Sequence, residues 1–173
     1  TEPGDILKID IIDIVPRVAY GVISNRHGKG ALPGEFPLGP KPDPRVKNDF
    51  KNVSIFSQTF IENNQVGAYI DDPSGKRISF EAKPFMGIIG VAKDTDSSVH
   101  SVPPGNHGGN LDINELVAGS TLYIPVQVPG AMFYTGDPHL AQGDGEVALT
   151  ALEQSLRALF RINVIKKGSD SVL

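Results

Sequence analysis

The chain has 173 residues, enough for one domain or two small ones, and 39% of them are apolar, enough for a core. Its 16 basic and 20 acidic residues leave a net charge of −4 and are well mixed, and the lack of a basic stripe excludes nucleic acid as the main partner. It contains no cysteine, which excludes disulfides and thiolate metal sites, so any metal would take imidazole and carboxylate ligands.

Nineteen glycines and fourteen prolines break the chain into short apolar stretches rich in Ile and Val, the texture of a mainly β protein with many turns. Residues 6–15 alternate apolar and polar, as in Leu7, Ile9 and Ile11 against Lys8 and Asp10, and predict a half-buried strand. Residues 21–50, and 24–50 above all, carry so much Gly and Pro that a long loop within the domain is expected. Residues 52–60 and 65–70 read as strands. Asp72-Pro73-Ser74-Gly75 reads as a turn leading to a strand over 77–81, which completes a hairpin. The run Met86–Ala92 suits a buried strand, residues 93–104 a loop, and residues 121–128 a strand disturbed by Pro125. Leu149, Leu152, Leu156 and Leu159 recur at helical spacing, which leaves 147–157 undecided, whereas 158–165 alternate like a strand. No apolar run reaches membrane-spanning length and no signal peptide is visible, so a cytoplasmic protein without membrane contact is expected.

Two glycine-rich segments concentrate the side chains that could carry chemistry. The first is Gly105-Asn106-His107-Gly108-Gly109-Asn110-Leu111-Asp112, where the glycines around His107 leave little for its ring to pack against. Asp112 also reads as the cap of a helix starting at Ile113, and Asp112-Ile113-Asn114-Glu115 resembles a capping box. The second runs from Gly136 to Glu146. Asp137 and His139 stand at i and i+2, which on a strand points both to one side and in a turn can chelate one ion; Asp144 and Glu146 repeat the spacing. Clustered carboxylates repel one another, and a cation relieves the repulsion. An exposed acidic loop is the plainer alternative, but a solvated loop has no need of Gly136, Gly143 and Gly145 together. His27 and His100 lie in loops without acids at suitable spacing, and Lys83 reads as a solvated lysine. Thr1 lacks the supporting site that an N-terminal nucleophile needs. Ser120 and Ser155 do not sit in a nucleophile-elbow pattern, which argues against a serine amidase.

Several segments, in order from about residue 2 to 165, resemble the acetamidase/formamidase family: Pro3-Gly4-Asp5-Ile6-Leu7, Pro84–Ala92, Gly108-Gly109-Asn110-Leu111-Asp112, Pro125-Val126 with Gly130–Phe133, Gly136-Asp137-Pro138-His139, and Gln142–Glu146. The resemblance implies a β-sandwich of jelly-roll type with a smaller α+β portion. It implies hydrolysis of the C–N bond of small amides such as formamide or acetamide, with lactams as a related substrate. It implies a divalent metal, zinc before calcium, held by Asp112, Asp137, His139 and His107. Asp144 and Glu146 are then the candidates for moving the proton, and Asn110 for the oxyanion. It further implies a central fragment, accompanied by companion chains that supply N- and C-terminal segments, in a homo-oligomer. The alternative from another class is a noncatalytic β-sandwich module that binds a small ligand or cation.

Overall fold

The computed structural model describes residues 1–35, 43–46, 52–63, 65–147 and 149–169. The chain forms two compact units. The first comprises Thr1–Val15, Pro84–Pro138 and the segment from Arg157 onward; the second comprises Pro16–Lys83 and His139–Leu156.

In the first unit β1 (Ile6–Pro16) lies between β8 (Thr121–Pro125) and β11 (Leu156–Ile165). Its antiparallel register with β8 sets Leu7 opposite Ile124 and Ile9 opposite Leu122. The alternation read from the sequence holds: Leu7, Ile9 and Ile11 are buried, while Lys8 pairs with Asp10 at 3.6 Å. Asp5, just before the strand, is buried and fully occupied. It accepts hydrogen bonds from Lys166 Nζ at 2.6 Å, from the Glu2 backbone N–H at 2.9 Å and from the Lys167 backbone N–H at 3.0 Å. The Lys166 bond, followed by the two backbone donors, holds the Asp5 carboxyl well below the usual carboxylate range.

The first unit also holds β6 (Phe85–Gly90), the short β7 (Gly108–Asn110) and the first half of β9 (Tyr134–Ala141). β6 is buried along most of its length, as its continuous apolar run predicts. Gly108 has a φ of +77°, and a Cβ there would collide with the Ile89 carbonyl oxygen, so only glycine lets β7 lie against β6.

The second unit contains β2 (Tyr20–Arg26), β3 (Asn52–Glu62), β4 (Gln65–Asp71), β5 (Arg77–Glu81), β10 (Leu152–Glu153) and the end of β9, in the order β5-β4-β3-β2-β10-β9. β2 pairs antiparallel with β10 and β3, β3 with β4, β4 with β5, and β10 with β9. The hairpin between β4 and β5 is closed by Asp72, whose Oδ1 accepts from the backbone N–H groups of Ser74 and Lys76 at 2.8 and 2.9 Å. Its core joins Ala68, Ala82, Leu140 and Leu152, with Ile23, Val66, Phe80, Ala141 and Leu156 packed against them.

The mainly β class expected from the sequence holds. No helix forms among the described residues, so the smaller α+β portion is not found there. Two local readings are corrected. The loop expected over 24–50 begins later, because β2 runs to Arg26: residues 20–26 contain no proline and pair along β3 from Tyr20–Gln58 to Arg26–Asn52. The rest of that stretch forms turns where described, and 36–42 and 47–51 lie outside the described residues. The undecided stretch 147–157 yields β10 and the start of β11, so sheet pairing overrides the helical spacing of its leucines.

Candidate active site

The second acidic segment begins on a strand. β9 carries Asp137 and His139 two positions apart, and β10 lies beside it with Leu152 opposite Ala141 and Glu153 opposite His139. One residue more on β9 than on β10 separates these two pairs, a β-bulge at Leu140. The bulge sends Leu140 and Leu152 into the core of the second unit and leaves His139 facing Glu153.

His139 has 0% exposure and is held from both sides. Nδ1 lies 2.9 Å from Gln142 Oε1, and Nε2 lies 3.3 Å from Glu153 Oε1. With the amide oxygen toward the ring, Nδ1 carries the proton, and Nε2 turns its lone pair toward a carboxylate. Two acceptors face each other stably only if a proton or a cation stands between them. The donor set fits zinc, which takes imidazole nitrogen and carboxylate oxygen together, better than calcium, which takes oxygen ligands. Gln142 stands where outer partners of metal-bound histidines stand, fixing the ring from its far nitrogen.

The same unit contains a cavity of about 480 Å³. Ile23, Phe80 and Leu152 line its apolar wall, and Gln142, Asp144 and Glu146 its polar one. Gln142 therefore touches both the cavity and the His139 ring. Asp144 is exposed and Glu146 half-buried. Glu146 and Asp137 hold left-handed backbone, with φ of 46° and 55°. A non-glycine residue in that region is strained, and such strain gathers at functional positions.

The other candidate segment lies in the first unit. Asp112 caps no helix: residues 113–120 form turns, with Leu116 N–H donating to Ile113 O and Ser120 N–H to Val117 O. Its side chain accepts from Asn110 Nδ2 at 2.9 Å, its backbone N–H donates to Gly87 O at 3.1 Å, and its φ is 48°. The segment is thus tied to β6 rather than to a helix. His107 is buried at 5% exposure and lines a different cavity, of about 300 Å³. Among the described residues it joins no group of three side chains able to hold a metal. Sequence reasoning passed over Glu153, fourteen positions from His139 in an ambiguous stretch; only the β9–β10 register brings the two together.

A buried imidazole held between an amide and a carboxylate thus adjoins an acidic cavity. Residues 91–172 match the model of the Acetamidase/Formamidase family. The acetamidase of Mycolicibacterium smegmatis is 27% identical over 98% of this chain and 52% of its own length. The formamidase of Methylophilus methylotrophus is 39% identical over 44% of this chain and 19% of its own. The solved structure of an acetamidase from Bacillus halodurans superposes with a TM-score of 0.77 at 29% identity, covering 96% of this chain and 49% of that one. The chain is thus similar to the acetamidase/formamidase family, over residues 91–172 for the family model and over nearly its whole length for the Mycolicibacterium smegmatis acetamidase. It spans about half the length of the curated relatives it matches.

Proposed function

We propose that the protein hydrolyses the C–N bond of small amides of the formamide and acetamide class, with a divalent metal, zinc, held at the β9 site. The observation that carries this reading is the fully buried His139, set between Gln142 and the carboxylate of Glu153. His139 supplies nitrogen and Glu153 oxygen, with Asp137 a further oxygen ligand through its motif match, while Gln142 keeps the proton on Nδ1. A zinc ion in such a set lowers the pKa of water toward neutrality. Glu146, at the cavity wall, takes the proton from water and delivers it to the leaving amine, which is a poor leaving group unless protonated. Asp144 beside it is the second candidate for that transfer. Asp112 and Asn110 belong to the proposal through their motif match, Asp112 as a further ligand and Asn110 as a donor to the oxyanion.

The reading includes a cytoplasmic location; among the described residues no helix is long and apolar enough to cross a membrane. It also includes a homo-oligomer, supported by apolar side chains left exposed on the strands, such as Phe56, Ile61 and Leu159.

The test is ammonia release from formamide and acetamide. Zinc-loaded protein should release ammonia, chelation should stop it, and zinc should restore it better than calcium. Metal binding with no release from any small amide would leave a noncatalytic binding module. Release unaffected by chelation would overturn the metal reading.

A further inference from the structure

We propose that the cavity beside His107 in the first unit is a binding site for a small carboxylate anion. Its polar lining comes from Lys93, His100, Ser101, His107, Asn110 and Tyr134, and no Asp or Glu side chain lines it. The remaining wall is apolar, from residues such as Ile88 and Val91. Donors and one fixed positive charge therefore converge on a space of about 300 Å³, suited to a ligand with a short apolar body and an anionic head.

His107 gives the independent sign that a ligand is wanted. Its Nδ1 is buried and has no hydrogen-bond partner. A buried polar atom left so costs stability, and native folds keep such atoms rarely. The ring is not there as filler. Gly105 and Gly109 flank it, and a Cβ on either would stand 3.0 Å from a ring nitrogen. The chain thus gives up side chains on both sides to seat an imidazole whose nitrogen is then unused. The lining carries this inference without the amidase reading, so acetate can bind whether or not amides are cleaved.

The experiment is a calorimetric and NMR titration of the intact protein with sodium acetate. Acetamide, titrated in the presence of a chelator that stops its hydrolysis, serves as the neutral isostere, and sodium phosphate at equal ionic strength as a control for any anion. Acetate should bind with saturation, perturbing the His107 ring resonances, and acetamide should bind at least about tenfold more weakly, the worth of one charge-assisted contact. Lys93→Gln, at an exposed position, should weaken acetate several-fold without altering the fold. His107→Leu should abolish acetate binding while melting no lower than the parent, since it removes an unpartnered nitrogen. Equal affinity for acetate and acetamide, equal response to phosphate, or acetate binding untouched by both substitutions would each overturn the proposal.

Discussion

Replacing Gln142 with Met tests the site from its outer edge. Met keeps the length and volume of the side chain but has no acceptor for His139 Nδ1, 2.9 Å away from the present amide oxygen. At 0% exposure the ring cannot turn to water for a substitute partner. The orphaned N–H should cost about 1–3 kcal/mol of folding stability. In a chain of this size each kcal/mol moves Tm by roughly 2–4 °C, so a drop of about 2–12 °C is expected. The free ring can also shift its proton to Nε2, the nitrogen that faces Glu153, and zinc must then displace that proton. Loss of such an outer partner typically weakens metal binding about 10–100-fold. Competition against a fluorescent zinc chelator reads the affinity, and calorimetric melting of the metal-free protein reads the stability. Gln142→Glu is the control: it keeps an acceptor and should hold zinc affinity at or above the parent value. If Met and Glu variants bind zinc as the parent does, Gln142 does not orient His139 and the β9 site is not the metal centre.

Glu146→Gln should lower amide hydrolysis about 10²–10⁴-fold in steady-state assays, with the fold intact, because the amide keeps the shape but cannot take a proton; full activity would move that role to Asp144. Asp5→Asn should destabilise at neutral pH, since it removes a carboxylate that the fold prefers ionised. Because the folded pKa lies below the unfolded one, the contribution is complete above the unfolded value of about 3.9 and fades as pH falls through the folded one. The Tm gap between parent and variant should therefore close as the solution is acidified below about pH 4, and a gap independent of pH would refute the assignment. Leu140→Ala should cost about 2–5 kcal/mol in denaturant unfolding, because Leu140 is fully buried at the bulge and two of its core neighbours, Ala68 and Ala82, are too small to fill the void.

Local alternation made β1 legible, since Leu7, Ile9 and Ile11 face one way whatever lies beside them. The β4–β5 hairpin was legible for a similar reason, its turn being written in Asp72–Gly75. β9 was harder. Gly136 and Pro138 read as turn residues, yet the chain there is a strand, and a bulge on its far side absorbs the irregularity. The leucines of 147–157 fit two periods, and partners distant in sequence decide between them. The site was legible in its residue types and in one of its two strands. Asp137 and His139 announced themselves by spacing, Gln142 lay in view without a role, and Glu153 had no local mark. Cross-strand partners are set by register, which short-range spacing does not encode. The helix cap read at Asp112 failed because Asx followed by a periodic stretch also suits a tied-down turn.

The first unit is assembled from three separate lengths of chain, and this sets a schedule for its making. β1 leaves the ribosome more than a hundred residues before its partner β8, and longer still before β11. At about 5–20 residues per second, an apolar strand waits many seconds with both edges open. The hairpins of the second unit, closed by short turns, can form during that wait. The nascent chain is thus expected to carry hairpins already folded while β1 still lacks its partners, and Ile6–Val15 is where a chaperone that favours extended apolar segments would hold it.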